Sequence, residues 1–295
     1  MAVPKTILIT GATTGIGKHA AVTLARKGHR VFATGRNLEV LTKVAQEAST
    51  PNLETLRLDV TDAASIASAA EEVGRRTSGA GIYALVNNAG YGLAGPLEEV
   101  SDADLRAQFD TNFFGLMAVT RAFLPGMRAR GAGRIVNVSS SGGRVSIPMV
   151  GAYHASKFAV EALSDALRME LAHLGIRVVL IEPGPIQSEF SNRLVSEVDR
   201  YRRPDSPYAP VYGRIDAMKT RAHAFSAPPD CVTRAIEKAI HNRWPRARYI
   251  MPFSTKIGVW LSAFIPTFVL DAIMKRAIGL HKLAYSTPVR ATGAG

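Results

Sequence analysis

The stretch Ile9-Thr-Gly-Ala-Thr-Thr-Gly-Ile-Gly-Lys-His-Ala-Ala21 places glycines at positions 11, 15 and 17. Glycine in regular structure costs about 0.5–1 kcal/mol relative to alanine, so such a cluster indicates a local requirement. The preceding segment, Thr6–Thr10, is typical of a short buried strand, and the segment 16–27 has the spacing of a helix. A glycine-rich turn between strand and helix brings backbone N–H groups against a phosphate. The stretch therefore predicts a phosphate-binding turn, with a simple tight turn as the alternative.

Length and composition restrict the class of protein. The chain has 295 residues, 47% hydrophobic and 20% charged, which is ordinary for a soluble globular protein with a full core. The single cysteine, Cys231, excludes an internal disulfide and indicates a reducing compartment. Because no signal peptide is recognisable, we expect a cytoplasmic protein. The longest apolar run, Ile257–Leu270, is interrupted by polar residues and is shorter than the roughly 20 residues of a membrane span.

Positive charge is concentrated in the last third of the chain. The formal net charge is +12, and residues 186–295 hold 17 Lys and Arg against 8 Asp and Glu. A nucleic-acid-binding protein would explain the excess, but no recognition motif or aromatic-interleaved basic stripe accompanies it. We therefore predict no nucleic-acid partner. Two explanations stay open: an anionic substrate carrier, or weak, salt-sensitive peripheral contact with an anionic membrane.

Strand-like and helix-like segments alternate along the chain. The strand-like runs are Thr6–Thr10, Arg30–Thr34, Leu53–Asp59, Tyr83–Asn87, Arg134–Ser139, Arg177–Glu182 and Arg248–Met251. Helix-period segments lie near 16–27, 38–48, 62–77, 102–129 and 154–173. This alternation predicts an α/β fold, a single-domain Rossmann-type doubly wound parallel sheet of about seven strands with helices on both faces. Ligands bind beyond the carboxyl ends of such strands.

The regular pattern ends after Pro183. We expect one domain over residues 1–250 that includes an enlarged substrate loop at 186–226. A helical extension at 251–285 and a frayed tail at 286–295 should follow. An apolar stripe within the extension predicts core or subunit contact, with a substrate-pocket wall or a membrane-surface helix as alternatives. The stripe consists of Leu270, Ile273, Met274, Ala277 and Ile278.

Tyr153 and Lys157 stand four residues apart in a predicted helix, which stacks them on one face. A phenol with an unperturbed pKa near 10 is a poor acid–base catalyst at pH 7. A nearby ammonium group favours the phenolate, so Lys157 is predicted to lower the pKa of Tyr153. Taken alone, the pair is more readily explained by a solvated helix face.

Further motifs accompany this pair in a fixed order. They are Thr10-Gly-Ala-Thr-Thr-Gly-Ile-Gly17, Leu58-Asp-Val60, Asn87-Asn-Ala-Gly90, Asn112, Asn137-Val-Ser-Ser140, Tyr153-x3-Lys157 and Pro183-Gly184. The set resembles the short-chain dehydrogenase/reductase family over about residues 4–190. The resemblance implies an oxidoreductase that interconverts a carbonyl and an alcohol by hydride transfer. The segment Glu182–Phe190, the long loop and the helical extension resemble the 17β-hydroxysteroid and retinol dehydrogenase group.

The resemblance also implies catalytic roles. Tyr153 would donate a proton in reduction and accept one in oxidation. Lys157 would lower the pKa of Tyr153 and hydrogen-bond the nicotinamide ribose. Ser140, chosen over its neighbouring hydroxyls by its spacing from Tyr153, would hold the substrate carbonyl oxygen. Asn112 would interrupt its helix and anchor a water that relays protons from Lys157.

Cofactor contacts follow from the same resemblance. The glycine turn would hold the pyrophosphate, and residues after the third strand would meet the adenine. Residues after the fourth strand would support the sheet edge beside the ribose, and those after the sixth would line the nicotinamide side. In that order the residues are Gly11, Thr13, Gly15, Ile16 and Gly17; Asp59 and Val60; Asn88, Ala89 and Gly90; and Pro183, Gly184, Ile186 and Ser188.

The second strand ends in Gly35-Arg36-Asn37, where an NAD site would carry an acid for the ribose 2′-hydroxyl. Arg36 can accommodate a 2′-phosphate, so NADP(H) is favoured over NAD(H). Thr14 stands where many NADP-linked relatives carry a second basic residue.

The predicted function is oxidoreduction of a small, lipophilic carbonyl or alcohol: a steroid, retinoid, long-chain aldehyde or 3-oxoacyl compound. A homodimer or homotetramer is expected, and no metal site. The alternative is a catalytically weak, NADP-binding regulatory protein of the same fold.

Overall fold

The fold is described from a computed structural model that covers residues 3–213 and 226–283. The predicted tail at 286–295 and the part of the predicted substrate loop at 214–225 lie outside the described residues.

Seven parallel strands form one sheet. They are β1 (Thr6–Ile9), β2 (Arg30–Gly35), β3 (Leu53–Arg57), β4 (Ala84–Asn87), β5 (Gly133–Val138), β6 (Ile176–Pro183) and β7 (Arg248–Met251). Their order is β3-β2-β1-β4-β5-β6-β7, so β1 lies between β2 and β4. The strand order changes direction there, and the loops after β1 and β4 border a crevice suited to a ligand.

Helices with both ends inside the described ranges cover the sheet or extend from it. They are α1 (Gly15–Arg26), α2 (Leu38–Ala48), α3 (Ala63–Arg76), α4 (Asp102–Phe109), α5 (Leu116–Arg130), α6 (Gly151–Glu170), α7 (Glu189–Val198), α8 (Asp230–His241), α9 (Phe253–Ser262) and α10 (Thr267–Ile278). None of the helices within the described ranges is long and apolar enough to cross a membrane.

The hydrophobic core is divided by the sheet into two layers. On one face α1, α2 and α8 pack through residues such as Leu24, Leu41 and Ile236. On the other face α3, α5 and α6 pack through residues such as Val73 and Phe123. Because apolar strands are buried on both faces, the sheet forms a rigid platform whose carboxyl edge carries the loops.

The predicted doubly wound sheet is confirmed, with three local differences. The helix expected at 102–129 is divided by a π-helical turn, Asp110–Gly115. The start of the predicted substrate loop is a helix, α7, and not a loop. The apolar stripe predicted as core or subunit contact is half-buried or exposed along most of α10, since only Ile278 is buried there.

Candidate active site

The glycine turn between β1 and α1 leaves no room for side chains. Gly11 and Gly15 have positive φ values of +66° and +55°, which glycine adopts without strain. A Cβ on Gly17 would lie 2.4 Å from both Asn88 Nδ2 and the Gly11 carbonyl oxygen. No acidic residue lies in the first turn of α1, so nothing opposes the positive end of the helix dipole. The turn is therefore a cradle for an anionic group.

The end of β4 holds this turn in place. The Thr10 hydroxyl accepts hydrogen bonds from the N–H groups of Asn88 and Ala89, both at 2.9 Å. Asn88 Nδ2 donates to the carbonyl oxygens of Thr10 and Gly11 at 3.0 Å. The predicted ribose-side residues thus act on the glycine turn itself. Thr13 lies over β2, since a Cβ on Gly35 would lie 2.9 Å from its methyl group.

Two arginines flank the crevice at the carboxyl ends of β2 and β3. Arg36 follows β2, and Arg57 ends β3 directly opposite Gly35 in the parallel register. Both side chains are exposed. Burial raises the pKa of Asp59, but hydrogen bonds from Thr61 and the charges of both arginines outweigh it and lower that pKa. Arg57 was not identified from the sequence, because its proximity to Arg36 depends on the pairing of β2 with β3. Val60 packs on Gly115 and is buried.

Tyr153 projects from α6 into a closed, apolar space. It is 6% exposed, and the nearby Ser140 hydroxyl accepts from the Gly142 N–H at 3.0 Å. Burial raises the pKa of Tyr153 to about 12, and the Ser140 hydroxyl only partly offsets it. In the protein alone, burial therefore outweighs any lowering of this pKa by the Lys157 ammonium group, and the predicted role of Lys157 stays a prediction. The ammonium nitrogen lies 5.8 Å from the centroid of the phenol ring, and burial dominates.

Lys157 is buried one helical turn after Tyr153. Its Nζ donates to the Val138 carbonyl oxygen at the end of β5, at 2.8 Å. Burial lowers the pKa of Lys157 to about 8, while the charge of Glu161 raises it. The ammonium form therefore predominates at neutral pH, held between α6 and the carboxyl edge of the sheet.

Asn112 lies within the π-helical turn, as the predicted interruption of its helix requires. Its Oδ1 accepts from the Tyr91 N–H at 3.1 Å, and its Nδ2 donates to the Tyr91 carbonyl and to Ser156 Oγ, both at 3.0 Å. A Cβ on Gly90 would lie 2.9 Å from Asn112 Oδ1 and 3.8 Å from Lys157 Nζ. Asn112 thus fixes the loop after β4 beside the buried lysine.

The loop after β6 lies across the crevice from the glycine turn. Ser188 faces the glycine turn, since a Cβ on Gly15 would lie 3.5 Å from Ser188 Cβ. Pro183 ends β6, and a Cβ on Gly184 would collide with Thr255 of α9. Ile16 packs against the hydrophobic core at half-burial, and Ile186 is 3% exposed within that core, so the Ile186 side chain does not line an open surface.

Helix α7 forms an apolar cover over Tyr153. The rings of Tyr153 and Phe190 lie 5.5 Å apart, and a Cβ on Gly92 would meet Leu194 and Phe190. Met149, with a positive φ of +71°, is buried beside this cover. The Tyr153 phenol is therefore packed against apolar side chains and buried from water.

A second buried polar group lies behind Lys157 and was not identified from the sequence. Glu182 of β6 is fully buried, and Arg248 Nε lies 3.1 Å from its Oε1 and 3.2 Å from Glu161 Oε2. Burial and the charge of Glu161 raise the pKa of Glu182 to about 7, against the opposing charges of Arg144 and Arg248. In the sequence, Glu182 is only the last residue of a predicted apolar strand, and no motif indicated that its carboxylate is buried.

These residues fit a nicotinamide dinucleotide on structural grounds. The glycine cradle suits a pyrophosphate, and close packing holds its surroundings, since a Cβ on Gly17 or Gly90 would lie 2.4 Å from Asn88 Nδ2 or 2.9 Å from Asn112 Oδ1. The hydroxyls of Tyr153 and Ser140 lie beside the buried ammonium group of Lys157, which is an arrangement for moving a proton to or from an oxygen atom. Within the described residues, no cluster of side chains could hold a metal ion.

Fold and site together define a dinucleotide-dependent oxidoreductase of the doubly wound α/β class. The short chain dehydrogenase family model matches residues 5–199, and the chain belongs to this family. It is 33% identical to the NADPH-dependent 3-dehydrocapnine reductase of Ornithobacterium rhinotracheale, over 90% of this chain and 94% of the relative. It is 35% identical to retinol dehydrogenase 7 of Mus musculus, over 92% and 87%.

A solved structure, that of a short-chain dehydrogenase from Streptomyces avermitilis, shares the fold with a TM-score of 0.74. It is 30% identical and covers 95% of this chain and 97% of its own. The predicted resemblance to the family and to the retinol dehydrogenase-like group is thereby confirmed, and the chain is an oxidoreductase of alcohol and carbonyl groups.

Proposed function

We propose that this chain is an NADP(H)-dependent reductase or dehydrogenase that interconverts a lipophilic carbonyl compound and its alcohol, with Tyr153 as the proton donor and acceptor. The observation that carries the proposal is the buried Tyr153 phenol, which packs against Phe190 of α7, with the Lys157 ammonium nitrogen 5.8 Å from its ring centroid and the Ser140 hydroxyl near enough to lower its pKa.

The cofactor would lie along the carboxyl edge of β1, β4 and β6. Its pyrophosphate would be held by the glycine turn and its ribose by Lys157, and its nicotinamide side would meet Pro183, Gly184 and Ser188. When bound, the nicotinamide supplies or accepts the hydride.

The protein's own groups handle the proton. The phenol of Tyr153 holds its proton at pH 7 and can donate it to a substrate oxygen, although burial raises its pKa to about 12 and so makes it a weaker acid. Ser140 Oγ would orient that oxygen. Lys157, with a pKa lowered to about 8, keeps a positive charge next to the phenol and favours its ionised form as the proton leaves.

The preference for NADP(H) is supported by the two exposed arginines at the ends of β2 and β3. Arg36 and Arg57 both act on Asp59, so they lie close enough to share one anionic partner. A 2′-phosphate would meet two guanidinium groups there, and arginine binds phosphate through several N–H donors at once.

A lipophilic substrate is supported by the apolar cover of Phe190, Leu194 and Met149. The relatives' names refer to 3-dehydrocapnine and retinol, both of which carry long hydrocarbon portions. A carbonyl at the polar end of such a molecule could reach Tyr153 while the hydrocarbon lies under α7.

The test is turnover of a panel that holds the carbonyl constant and varies the hydrocarbon: a steroid ketone, retinal, a long-chain aldehyde, a 3-oxoacyl ester and a short soluble ketone. We expect NADPH oxidation, followed by absorbance, to be fastest with the long apolar members. NADH at the same concentration should react more slowly. Turnover of the short ketone alone would contradict the lipophilic assignment.

The alternative of a catalytically weak, NADP-binding regulatory protein predicts cofactor binding without turnover. Retention of both Tyr153 and Lys157 in a closed site favours the enzyme. Binding of NADPH with no oxidation of any panel member would favour the regulatory protein.

We also propose a homo-oligomer in a reducing, cytoplasmic setting, with peripheral contact at a membrane surface. Exposed apolar side chains on α4 to α6, among them Leu105, Phe114 and Phe158, support association between copies. The single cysteine supports the reducing compartment.

A further inference from the structure

The two helices after β7 expose a continuous set of large apolar side chains. We call this set the apolar C-terminal surface; it comprises Phe253, Ile257, Trp260, Leu261, Phe264 and Phe268. Phe253, Phe264 and Phe268 are at least 70% exposed, and Trp260 is 62% exposed. Trp260 and Phe264 form a ring pair with centroids 4.9 Å apart. Exposed apolar patches of this kind mark interaction sites.

The rest of the described domain does not cover this surface. Helix α9 contains no buried residue, and Ile278 is the one buried residue of α10. With 10 and 12 residues, the two helices have room to lie along an interface and are too short to span a bilayer. Pro266 separates them.

Cationic side chains border the same surface. A cavity of about 250 Å³ lies between α8, β7 and α9, lined among others by Lys238, Arg246 and Lys256. None of these three has an acidic partner within the described residues. Lys256 belongs to α9 itself, so the cavity is continuous with the apolar surface. Lys275 and Arg276 follow on α10. Between residues 243 and 283 the chain holds 7 Lys and Arg against a single acid, Asp271.

We infer that the apolar C-terminal surface docks on an anionic lipid membrane, with its aromatic side chains among the acyl chains and the bordering cations on lipid phosphates. Aromatic residues flanked by Lys and Arg are what an interfacial helix requires. A second copy of the chain would fit the apolar part, but a symmetric contact would bring the two cationic borders face to face. Charge therefore selects the membrane over self-association.

The surface lies on the catalytic side of the molecule. All strands are parallel, and α9 follows the carboxyl end of β7, the edge at which the site is built. Thr255 of α9 packs against Gly184, and Ile278 of α10 shares an apolar cluster with Met149 beside Tyr153. A docked molecule would thus face the bilayer with the region where a lipophilic substrate enters. This last step alone rests on the proposed function.

The chain contains two tryptophans, and they provide a matched test. Trp260 belongs to the apolar C-terminal surface, whereas Trp244 lies outside it, under the guanidinium groups of Arg177 and Arg243, and is 69% exposed. The variants W244F and W260F each leave one reporter of similar exposure. Each is mixed with phosphatidylcholine vesicles with and without phosphatidylglycerol, and a second series uses lipids brominated in the acyl chain as quenchers.

We expect W244F, which reports on Trp260, to show a blue shift and quenching by brominated lipid on anionic vesicles. W260F should show neither, although it should still co-sediment, more weakly than the wild type. High salt should reduce co-sedimentation at least tenfold, because the cations act through screened attraction. The double variant K238E/K256E should lose binding to anionic vesicles while keeping turnover of a soluble substrate.

Three results would overturn the inference. They are absence of co-sedimentation at low salt, equal binding to neutral and anionic vesicles, and a Trp260 spectrum that is already blue-shifted without lipid and depends on protein concentration. The last result would assign the surface to a second copy. Vesicle binding is also measured with Tyr153→Phe. That variant should bind normally, so failure of the docking surface and failure of the proposed chemistry are distinguishable.

Discussion

Burial of Tyr153 keeps its phenol protonated at neutral pH, and this determines what its removal should do. Tyr153→Phe removes the proton but keeps the ring against Phe190, so we expect turnover to fall by about 100-fold or more while NADPH binding stays within a factor of about two. Tyr83→Phe, which removes a hydroxyl far from the site, should leave both unchanged. Near wild-type turnover by Tyr153→Phe, measured by NADPH oxidation, would contradict the assigned role.

Arg36 and Arg57 are each expected to strengthen the binding of NADPH relative to NADH. Arg36→Leu should weaken NADPH binding by about 1.5–3 kcal/mol, the scale of a charge-assisted hydrogen bond, and Arg57→Leu should do so by a similar or smaller amount. NADH binding should change little in either variant because it lacks the 2′-phosphate. Fluorescence titration of both cofactors checks this. Equal losses for NADH and NADPH would show that the arginines do not bind the phosphate.

Glu182 should make the free energy of unfolding depend on pH. Burial raises its pKa from 4.5 to about 7, so the folded state binds a proton that the unfolded state releases between these values. The stabilisation is therefore complete below about pH 4.5 and is lost as the pH rises through about 7, by at most about 3 kcal/mol. Urea unfolding at several pH values measures it.

Glu182→Gln should flatten this part of the profile, because an amide has no proton to lose. Glu71→Gln, a change at an exposed carboxylate of α3, is the matched control and should leave the slope as it is. A profile of Glu182→Gln that keeps the wild-type slope between pH 5 and 7 would contradict the raised pKa. The two proteins are compared because buried His154, whose pKa is lowered to about 4, changes the stability of both in the opposite direction.

At the scale of elements, the first turn of α1 depends on the absence of a side chain at position 17. Gly17→Ala would drive a methyl group into Asn88 and the Gly11 carbonyl, which are held by hydrogen bonds. We expect a loss of about 1–3 kcal/mol in stability and weaker NADPH binding. Gly74→Ala in α3 has nothing within 4 Å of the new methyl group and should be neutral or stabilising. Thermal unfolding with and without NADPH measures stability and cofactor binding for both variants. Equal midpoints for Gly17→Ala and Gly74→Ala under both conditions would contradict a phosphate-binding role of the glycine turn.

The elements themselves were largely predictable, because buried parallel strands are apolar runs and their helices carry a regular period. The last strand, Arg248–Met251, has the predicted bounds, and the others differ at their ends by one or two residues. The π-helical turn shows why a continuous helix at 102–129 was only partly correct. Asn112 inside it bonds to Tyr91 and Ser156, contacts that local periodicity does not encode.

What the sequence could not supply were properties that depend on neighbours from other elements. Arg57 acquires its place beside Arg36 only through strand pairing. The raised pKa of Tyr153 follows from the cover of α7, whereas the sequence showed only the nearby Lys157. The apolar stripe on α10 has the spacing typical of a core helix. No other element of the described residues packs over most of the stripe, however, and only Ile278 of this helix is buried.

At the scale of the whole molecule, a second apolar region lies away from the C-terminal surface. Leu105 and Phe114 line a depression on α4 and the π-helical turn, together with Arg106, Asp102 and Asp110. A two-fold contact would bring Arg106 of one copy against the acids of the other. We therefore expect a dimer in sedimentation velocity runs at micromolar concentration.

The double variant L105S/F114S should shift that dimer toward monomer. Trp260→Ala, on the C-terminal surface, should leave the sedimentation coefficient unchanged. A monomeric wild type would contradict the proposed dimer. Dissociation of the dimer by Trp260→Ala but not by L105S/F114S would place the dimer contact on the C-terminal surface.

The strand order also governs when a growing chain can bind its nucleotide. The glycine turn leaves the ribosome first, yet β1 must wait for β4 to pair on its second side, and Ser188 opposite Gly15 emerges later still. Lys157, which would hold the ribose, also comes long after the turn. Truncated translation products therefore carry the phosphate cradle without the groups that complete the site, and they should not withdraw cofactor from the cell. The nucleotide becomes a stabilising ligand only for chains synthesised past β6.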